Sequence, residues 1–175
     1  MESKAKLLWQ RIFDKGTSEE ADFIEKLCLN HEATEVDFFM LEKALSVIVP
    51  NEMKSFYEIH NGQTWKFETE CIFRNLTLIP ISDIIRAWRF LEDEFNIDNY
   101  RDLELESDEF VKPYFWNPKW IPIAENSGGD YLCLDTDPAE KGDFGQVLYY
   151  FHDEGFREVE AKSLYEFIEL CLEED

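Results

Sequence analysis

Residues 116–146 read WNPKWIPIAENSGGDYLCLDTDPAEKGDFGQ, and this stretch decides the fold. Turn sequences separate its short apolar runs, Trp120–Ala124 and Tyr131–Leu134, and lead into a third run that follows it, Val147–His152. The first turn, Asn126–Asp130, contains two consecutive glycines, which permit the positive φ angles of a tight hairpin. The second turn begins at Asp135–Pro138, where Asp side chains and proline favour chain reversal. The stretch therefore predicts closely spaced antiparallel strands.

The rest of the chain predicts helices around this sheet. Apolar residues at helical spacing predict helices at 4–15, after a Thr17/Glu20 capping box, after Thr34, after Pro50, after Ser82 and after Ser163. Gly16 is predicted to end the first helix, and Val36, Met40 and Leu41 are predicted to belong to the buried stripe of the third.

Alternating apolar residues predict further strands. Trp65–Phe73 has period two and predicts a half-exposed strand, with Arg74-Asn75 turning the chain into a partner strand at Leu76–Ile79. A last strand is predicted at 156–159. Strands grouped after helices indicate an α+β fold, a single domain with a mainly antiparallel sheet covered by helices.

Composition favours one folded domain in a reducing compartment. The chain has 175 residues, 45% hydrophobic content and fifteen phenylalanines, enough for a substantial core. No apolar run approaches the roughly 20 residues that span a bilayer, and the first residues are too polar for a signal peptide. The four cysteines form no C-x-x-C pair, so reduced, buried thiols are expected. These features predict a cytoplasmic protein.

Acidic residues dominate the charge. The chain has 39 acidic and 17 basic residues, a formal net charge of −22, which disfavours nucleic acid and anionic membranes and favours a basic protein partner. The stretch 92–109 contains nine acidic residues and one basic residue, Arg101. The predicted partner-binding residues are Glu92, Asp98, Asp102, Glu104, Glu106, Asp108, Trp116, Asp135 and Asp137.

The sequence lacks a complete motif for a phosphate-binding, calcium-binding or catalytic site. The Gly-Gly turn leads into a strand and no Lys-Ser/Thr follows it, which favours a hairpin over a phosphate loop. Asp135 and Asp137 resemble the start of a calcium loop, but Ala139 and Glu140 stand where a ligand and a glycine are required. No cofactor, metal site or catalytic residue is predicted. A small-ligand hydrolase that uses Asp130 and Asp135 stays open as an alternative.

The order of motifs carries a family resemblance. W-x-P-x-W-I-P-I-A, GGD, LD-x-DP and G-x-x-GQV follow one another between residues 116 and 147. Upstream stand Ala33-Thr34-Glu35, Leu41-Glu42-x-x-Leu45, Val49-Pro50 and His60-Asn61-Gly62; downstream stands 161–167. This order resembles the SUKH superfamily, which joins fungal cell-wall-synthesis regulators to bacterial toxin-immunity proteins.

The resemblance implies boundaries and signature residues. Residues 1–175 are expected to form one SUKH-like domain with an N-terminal helical extension (1–32), a family-like core (33–172) and an acidic insertion (96–112). The family usually has glycine where Ser46 stands, so this helix end is expected to differ in detail. The signature residues are expected to serve mainly the fold, and they are Pro50, Asn61, Gly62, Trp120, Asn126, Gly128, Gly129, Asp130 and Gly145.

The resemblance also implies a function. The sequence favours an immunity protein that binds a cognate polymorphic toxin, a basic nuclease-type domain, and neutralises it by steric and electrostatic occlusion. The alternatives are an intracellular regulatory scaffold of the cell-wall-synthesis type and a small-ligand enzyme. Fold resemblance alone cannot choose among these functions.

Overall fold

A five-stranded antiparallel sheet forms the centre of the domain. The computed structural model describes residues 3–96 and 105–174. The strands, in chain order and in spatial order, are β1 (Thr77–Leu78), β2 (Trp120–Glu125), β3 (Tyr131–Asp135), β4 (Gln146–Tyr150) and β5 (Val159–Ala161). All four neighbouring pairs are antiparallel. The predicted α+β fold with an antiparallel sheet is confirmed.

Helices cover the sheet. They are α1 (Lys4–Glu19), α2 (Phe23–Lys26), α3 (Glu35–Leu45), α4 (Asn51–Tyr57), α5 (Ile81–Phe95) and α6 (Leu164–Glu173). Helix α5 packs on β2, α6 packs on β4 and β5, and α1 lies against α4 and α6. Almost every residue of β2, β3 and β4 is buried, and successive side chains of a strand point to opposite faces. Both faces of the central strands are therefore covered.

The predicted end of the first helix at Gly16 is wrong. Helix α1 continues to Glu19, and the ring of Phe23 packs directly on Gly16, where an added Cβ would lie 2.1 Å from Phe23 Cδ1. Thr17 does not cap a new helix; its hydroxyl donates to the Phe13 carbonyl one turn earlier. Glycine serves close packing here, and only the short α2 follows.

The predicted strand Trp65–Phe73 is also wrong. Gln63 occupies the free edge of β1, since its backbone N–H donates to Leu78 O at 2.7 Å and its side-chain oxygen accepts from Leu78 N at 2.8 Å. A partner strand would need those same backbone groups. Trp65 consequently lies in an exposed loop, whereas Phe73 enters the core. The tight turn predicted at Arg74-Asn75 is present, with Phe73 and Leu76 bonded across it.

Helix α3 begins as predicted, and its buried face agrees with the predicted stripe only in part. Thr34 and Asp37 form a capping box at its N-terminus. The buried residues are Phe38, Leu41 and Leu45, whereas Val36 and Met40, predicted to be buried, are exposed. The last strand is displaced as well, to Val159–Ala161 rather than 156–159.

No helix in the described ranges is both long enough and apolar enough to cross a bilayer.

Ser46 provides a test of backbone strain. It ends α3 at φ 53° and ψ 47°, the left-handed conformation that glycine adopts without a steric penalty. Replacing Ser46 with glycine should therefore raise the free energy of unfolding, by up to about 1 kcal/mol, in urea titrations. Ser46→Ala keeps a Cβ and should give no gain. Equal effects of the two substitutions would show that φ at this position carries no strain.

Candidate functional site

The signature turn is closed by its own side chains. Asn126 Oδ1 accepts hydrogen bonds from the backbone N–H groups of Gly128 at 2.8 Å and Asp130 at 3.1 Å. Asn126 Nδ2 donates to Asp130 Oδ2 at 3.1 Å, and Gly129 adopts φ 91°. The side chain of Asn126 thus engages amides that a bound phosphate would require, which favours the hairpin interpretation.

Asp130 also joins this turn to the end of β4. Its Oδ1 accepts from His152 N at 3.2 Å and lies 2.9 Å from His152 Nδ1. The hydrogen bond to Asp130 raises the pKa of His152. Partial burial would raise the pKa of Asp130, but the hydrogen bonds from His152 and Asn126 outweigh it and lower that pKa. The pair therefore favours a charged His152.

One cluster of potential metal ligands occurs within the described ranges. Ligand atoms of Asp130, His152 and Asp153 lie within 4.8 Å of one another, and both His152 and Asp153 are exposed. The Asp130–His152 hydrogen bond accounts for most of this proximity. The expectation that the protein needs no metal stays a prediction.

Asp135, predicted to contact a partner, is instead fully buried. Its carboxylate accepts from Gln146 Nε2 and from Asp137 N, each at 2.9 Å, and its carbonyl accepts from Gly145 N at 2.7 Å. Burial raises the pKa of Asp135. Gly145, at φ 85°, brings this loop against Pro50. Asp135 therefore joins the second turn to the end of the β3–β4 hairpin and cannot reach a partner from the folded domain.

Trp116 is likewise internal rather than a surface contact. It is buried, its Nε1 donates to Glu92 at 3.0 Å, and its ring meets Trp120 edge-on with the centroids 5.8 Å apart. Glu92 is consequently engaged inside the domain. The prediction of a contact role for Trp116 is corrected, because its indole fills the space between α5 and the sheet.

The remaining predicted acidic residues differ in accessibility. Asp108 caps the backbone of β5 by accepting from Val159 N at 2.8 Å, and Asp137 pairs with Lys112. Glu106 is exposed. Asp98, Asp102 and Glu104 lie outside the described residues. A partner-binding role for this acidic segment stays a prediction.

The sequence prediction missed an exposed apolar face on α3. Val36, Phe39 and Met40 are 68%, 62% and 52% exposed. With about 3.6 residues per turn, these three lie on one side of the helix, opposite the buried Phe38 and Leu41. An apolar face on each side of a helix is typical of a helix covered from both directions. Within the described chain, α3 is covered from one.

A protein-family model and several fungal proteins match this chain. The sequence model of the SMI1 / KNR4 family (SUKH-1) matches residues 32–170. The cell wall biosynthesis/cell cycle regulator smi1 of Schizosaccharomyces pombe is 27% identical over 173 residues, covering 91% of this chain and 34% of that protein. The cell wall assembly regulator SMI1 of Saccharomyces cerevisiae is 23% identical over 200 residues, covering 95% and 39%.

A third relative has a related name. The glucan synthesis regulatory protein of Neurospora crassa is 24% identical over 181 residues, covering 83% of this chain and 34% of that protein. The chain thus spans between a third and two fifths of the length of these relatives.

Substitution of Trp120 tests whether this residue serves the fold or contacts a partner. Its side chain is fully buried, so Trp120→Ala should lower the free energy of unfolding by about 3–5 kcal/mol. Trp65→Ala, at an exposed position, should leave the melting temperature nearly unchanged and serves as the control. Near-native stability of Trp120→Ala in thermal unfolding would overturn the structural role.

The interaction of His152 with Asp130 is expected to contribute to stability in a pH-dependent way. Because Asp130 raises its pKa in the folded state, the stabilisation is fully present below the unfolded pKa of about 6.5 and is lost as pH rises through the folded value. The melting-temperature difference between the native protein and His152→Gln should therefore shrink as pH rises above about 6.5. His31→Gln, outside the turn, is the control. A difference that is constant with pH would contradict this role.

Proposed function

Because the chain belongs to the SMI1 / KNR4 family (SUKH-1), we propose that it is a regulatory module of cell-wall synthesis that acts by binding other proteins. The observation that carries this proposal is similarity over most of the chain to proteins named as regulators of cell wall assembly and glucan synthesis. The chain corresponds to only part of those relatives, so it supplies one module of such an activity.

The same relatives correct the functional expectation drawn from sequence. The immunity-protein interpretation depended on acidic charge and on the bacterial branch of the superfamily. The matched proteins carry names of fungal wall regulators, which agrees with the regulatory alternative instead. High negative charge suits any basic partner and therefore does not distinguish a toxin from another protein.

Two surface features support a protein-binding role. The net charge of −22 raises the rate of encounter with basic proteins and opposes contact with nucleic acid or anionic membrane. The exposed face of α3 offers Val36, Phe39 and Met40 to an apolar surface. We propose an intracellular partner with a basic, amphipathic segment. Self-association through α3 is disfavoured because each copy carries the same large charge.

Residues whose side chains could act in catalysis have structural roles, which supports a non-enzymatic module. Asp130 and Asp135 are both engaged in hydrogen bonds that fix turns. His60 Nδ1 lies 3.0 Å from Asn30 O, and its ring packs edge-on against Trp9. Each of these groups has a partner inside the fold rather than an orientation toward a substrate cavity.

The proposal predicts that this chain can replace the matched region of a fungal regulator. A chimera that carries this complete chain in place of the similar region of the Schizosaccharomyces pombe relative should restore wall glucan content, and resistance to dyes that bind the wall, to cells lacking that relative. A chimera that is expressed and folded but restores neither would contradict the proposed function.

The α3 face can be tested in the same chimera. Changing Phe39 and Met40 to serine should abolish rescue and weaken binding of the partner protein. The melting temperature should stay unchanged, because both side chains are exposed. The matched control changes Leu7 and Ile24, two other exposed apolar residues, to serine. Equal loss of rescue in both double variants would show that α3 has no special role.

A further inference from the structure

A cleft opens between the signature turn and the loop that precedes β1. Its volume is about 510 Å³, and its lining includes Trp65, Glu125 and the turn residues 126–128. Asn75 and Thr77 also line it. The groups around it are an aromatic face, a carboxylate and neutral polar side chains, which are ligands for a cation rather than for an anion.

Trp65 is exposed although its loop is held in place. The side chain is 71% exposed. On either side of it, Thr64 N donates to Cys28 O at 2.8 Å, and Lys66 N donates to Thr69 Oγ1 at 2.7 Å. The Thr64 hydroxyl donates to Asn30 Oδ1 at 2.6 Å. A tryptophan presented on an anchored loop loses little conformational freedom on binding, as is typical of interface hot spots.

Glu125 supplies an unpaired carboxylate. It ends β2 and is half-buried, and among the described residues no donor or cation binds its side-chain oxygens. Burial raises its pKa, and Asp83 adds to that effect. Arg86 opposes it from nearby, but the guanidinium of Arg86 is paired with Asp83 at 3.1 Å. A partly desolvated carboxylate of this kind gains energy when a cation approaches.

We propose that this cleft binds an arginine side chain of a basic partner protein, with the guanidinium stacked on Trp65 and paired with Glu125. A planar guanidinium can satisfy both at once, because it stacks on aromatic rings and donates in its own plane to a carboxylate. The net charge of −22 attracts arginine-rich segments to the domain. This inference names the chemistry of the partner and rests on the proposal that the domain works by binding proteins.

The test uses the complete chain and a peptide of arginine–glycine–serine repeats. Titration calorimetry should show binding that Trp65→Ala and Glu125→Gln each weaken by roughly three- to thirty-fold, the range that a desolvated cation–π or charged pair contributes. The indole N–H resonance of Trp65 should shift on titration. The same peptide with citrulline in place of arginine, which keeps the shape and removes the charge, should not bind.

Two matched variants separate this site from general charge attraction. Phe67→Ala removes an aromatic residue of the same loop that is 94% exposed and lies outside the cleft. Glu158→Gln removes one exposed carboxylate near β5, away from the cleft. Both should bind the arginine peptide like the native protein. If either control weakens binding as much as the cleft variants do, or if the cleft variants bind normally, the inference fails.

Different experimental results would refute the proposed function and the assignment of the cleft. Peptide binding that depends on Trp65, together with a chimera that cannot restore the fungal wall, would refute the proposed function and leave the cleft assignment intact. A chimera that restores the wall even with Trp65→Ala and Glu125→Gln, in a protein whose peptide binding is also unaffected, would refute the cleft assignment alone.

Discussion

The position of Arg157 constrains much of the remaining structure. Its side chain is fully buried, and among described residues no carboxylate lies within 4 Å of its guanidinium. The guanidinium instead donates to the carbonyls of Glu154, Phe156 and Phe115, and it lies 4.5 Å from the ring centroid of Tyr150. Burial lowers the pKa of Arg157. A buried cation tolerates the interior only while such partners remain in place, because losing one leaves a desolvated charge.

One of those partners, Phe115, comes from a distant part of the chain, so Arg157 ties that segment to the end of the sheet. Phe115 belongs to the segment that follows the acidic stretch, and Asp108 of that stretch donates its backbone N–H to Arg157 O at 3.1 Å. The side chain of Asp108 in turn caps β5 through Val159. The described end of the acidic segment is thereby fixed along the sheet edge, and this edge is closed to a further strand at that point.

Sequence reasoning succeeded where short-range chemistry decides the structure. Asn126 and the glycines after it determine a hairpin through contacts within five residues, and Asp135–Pro138 indicates a second reversal, so β2, β3 and β4 could be placed before any tertiary information. The alternation at Trp65–Phe73 was misleading because Gln63, which precedes this segment, takes the edge of β1 by bonding to Leu78, fifteen residues further along the chain. Gly16 was misleading because Phe23 needs a flat surface against α1. The burial of Arg157 could not be predicted from the sequence, because arginine side chains are ordinarily exposed to solvent.

The residues of the candidate site show the same difference between short-range contacts, which could be predicted, and long-range packing, which could not. The structural role of Asn126 and Asp130 could be predicted from their short polar side chains, but the burial of Asp135 and Trp116 could not, because it depends on packing between remote segments. Nor could the sequence say which side of α3 faces inward. Both sides are apolar, and only the position of α5 against Phe38, Leu41 and Leu45 decides it.

Two apolar faces on α3 also affect how the isolated domain behaves in solution. Like-charge repulsion between molecules is what keeps their exposed Val36, Phe39 and Met40 side chains from meeting. Concentrated salt, or acidification toward the carboxylate pKa range of about 4, weakens that repulsion between molecules. Colloidal stability of this domain is then set by ionic conditions rather than by its melting temperature, and turbidity would appear while the fold is still intact.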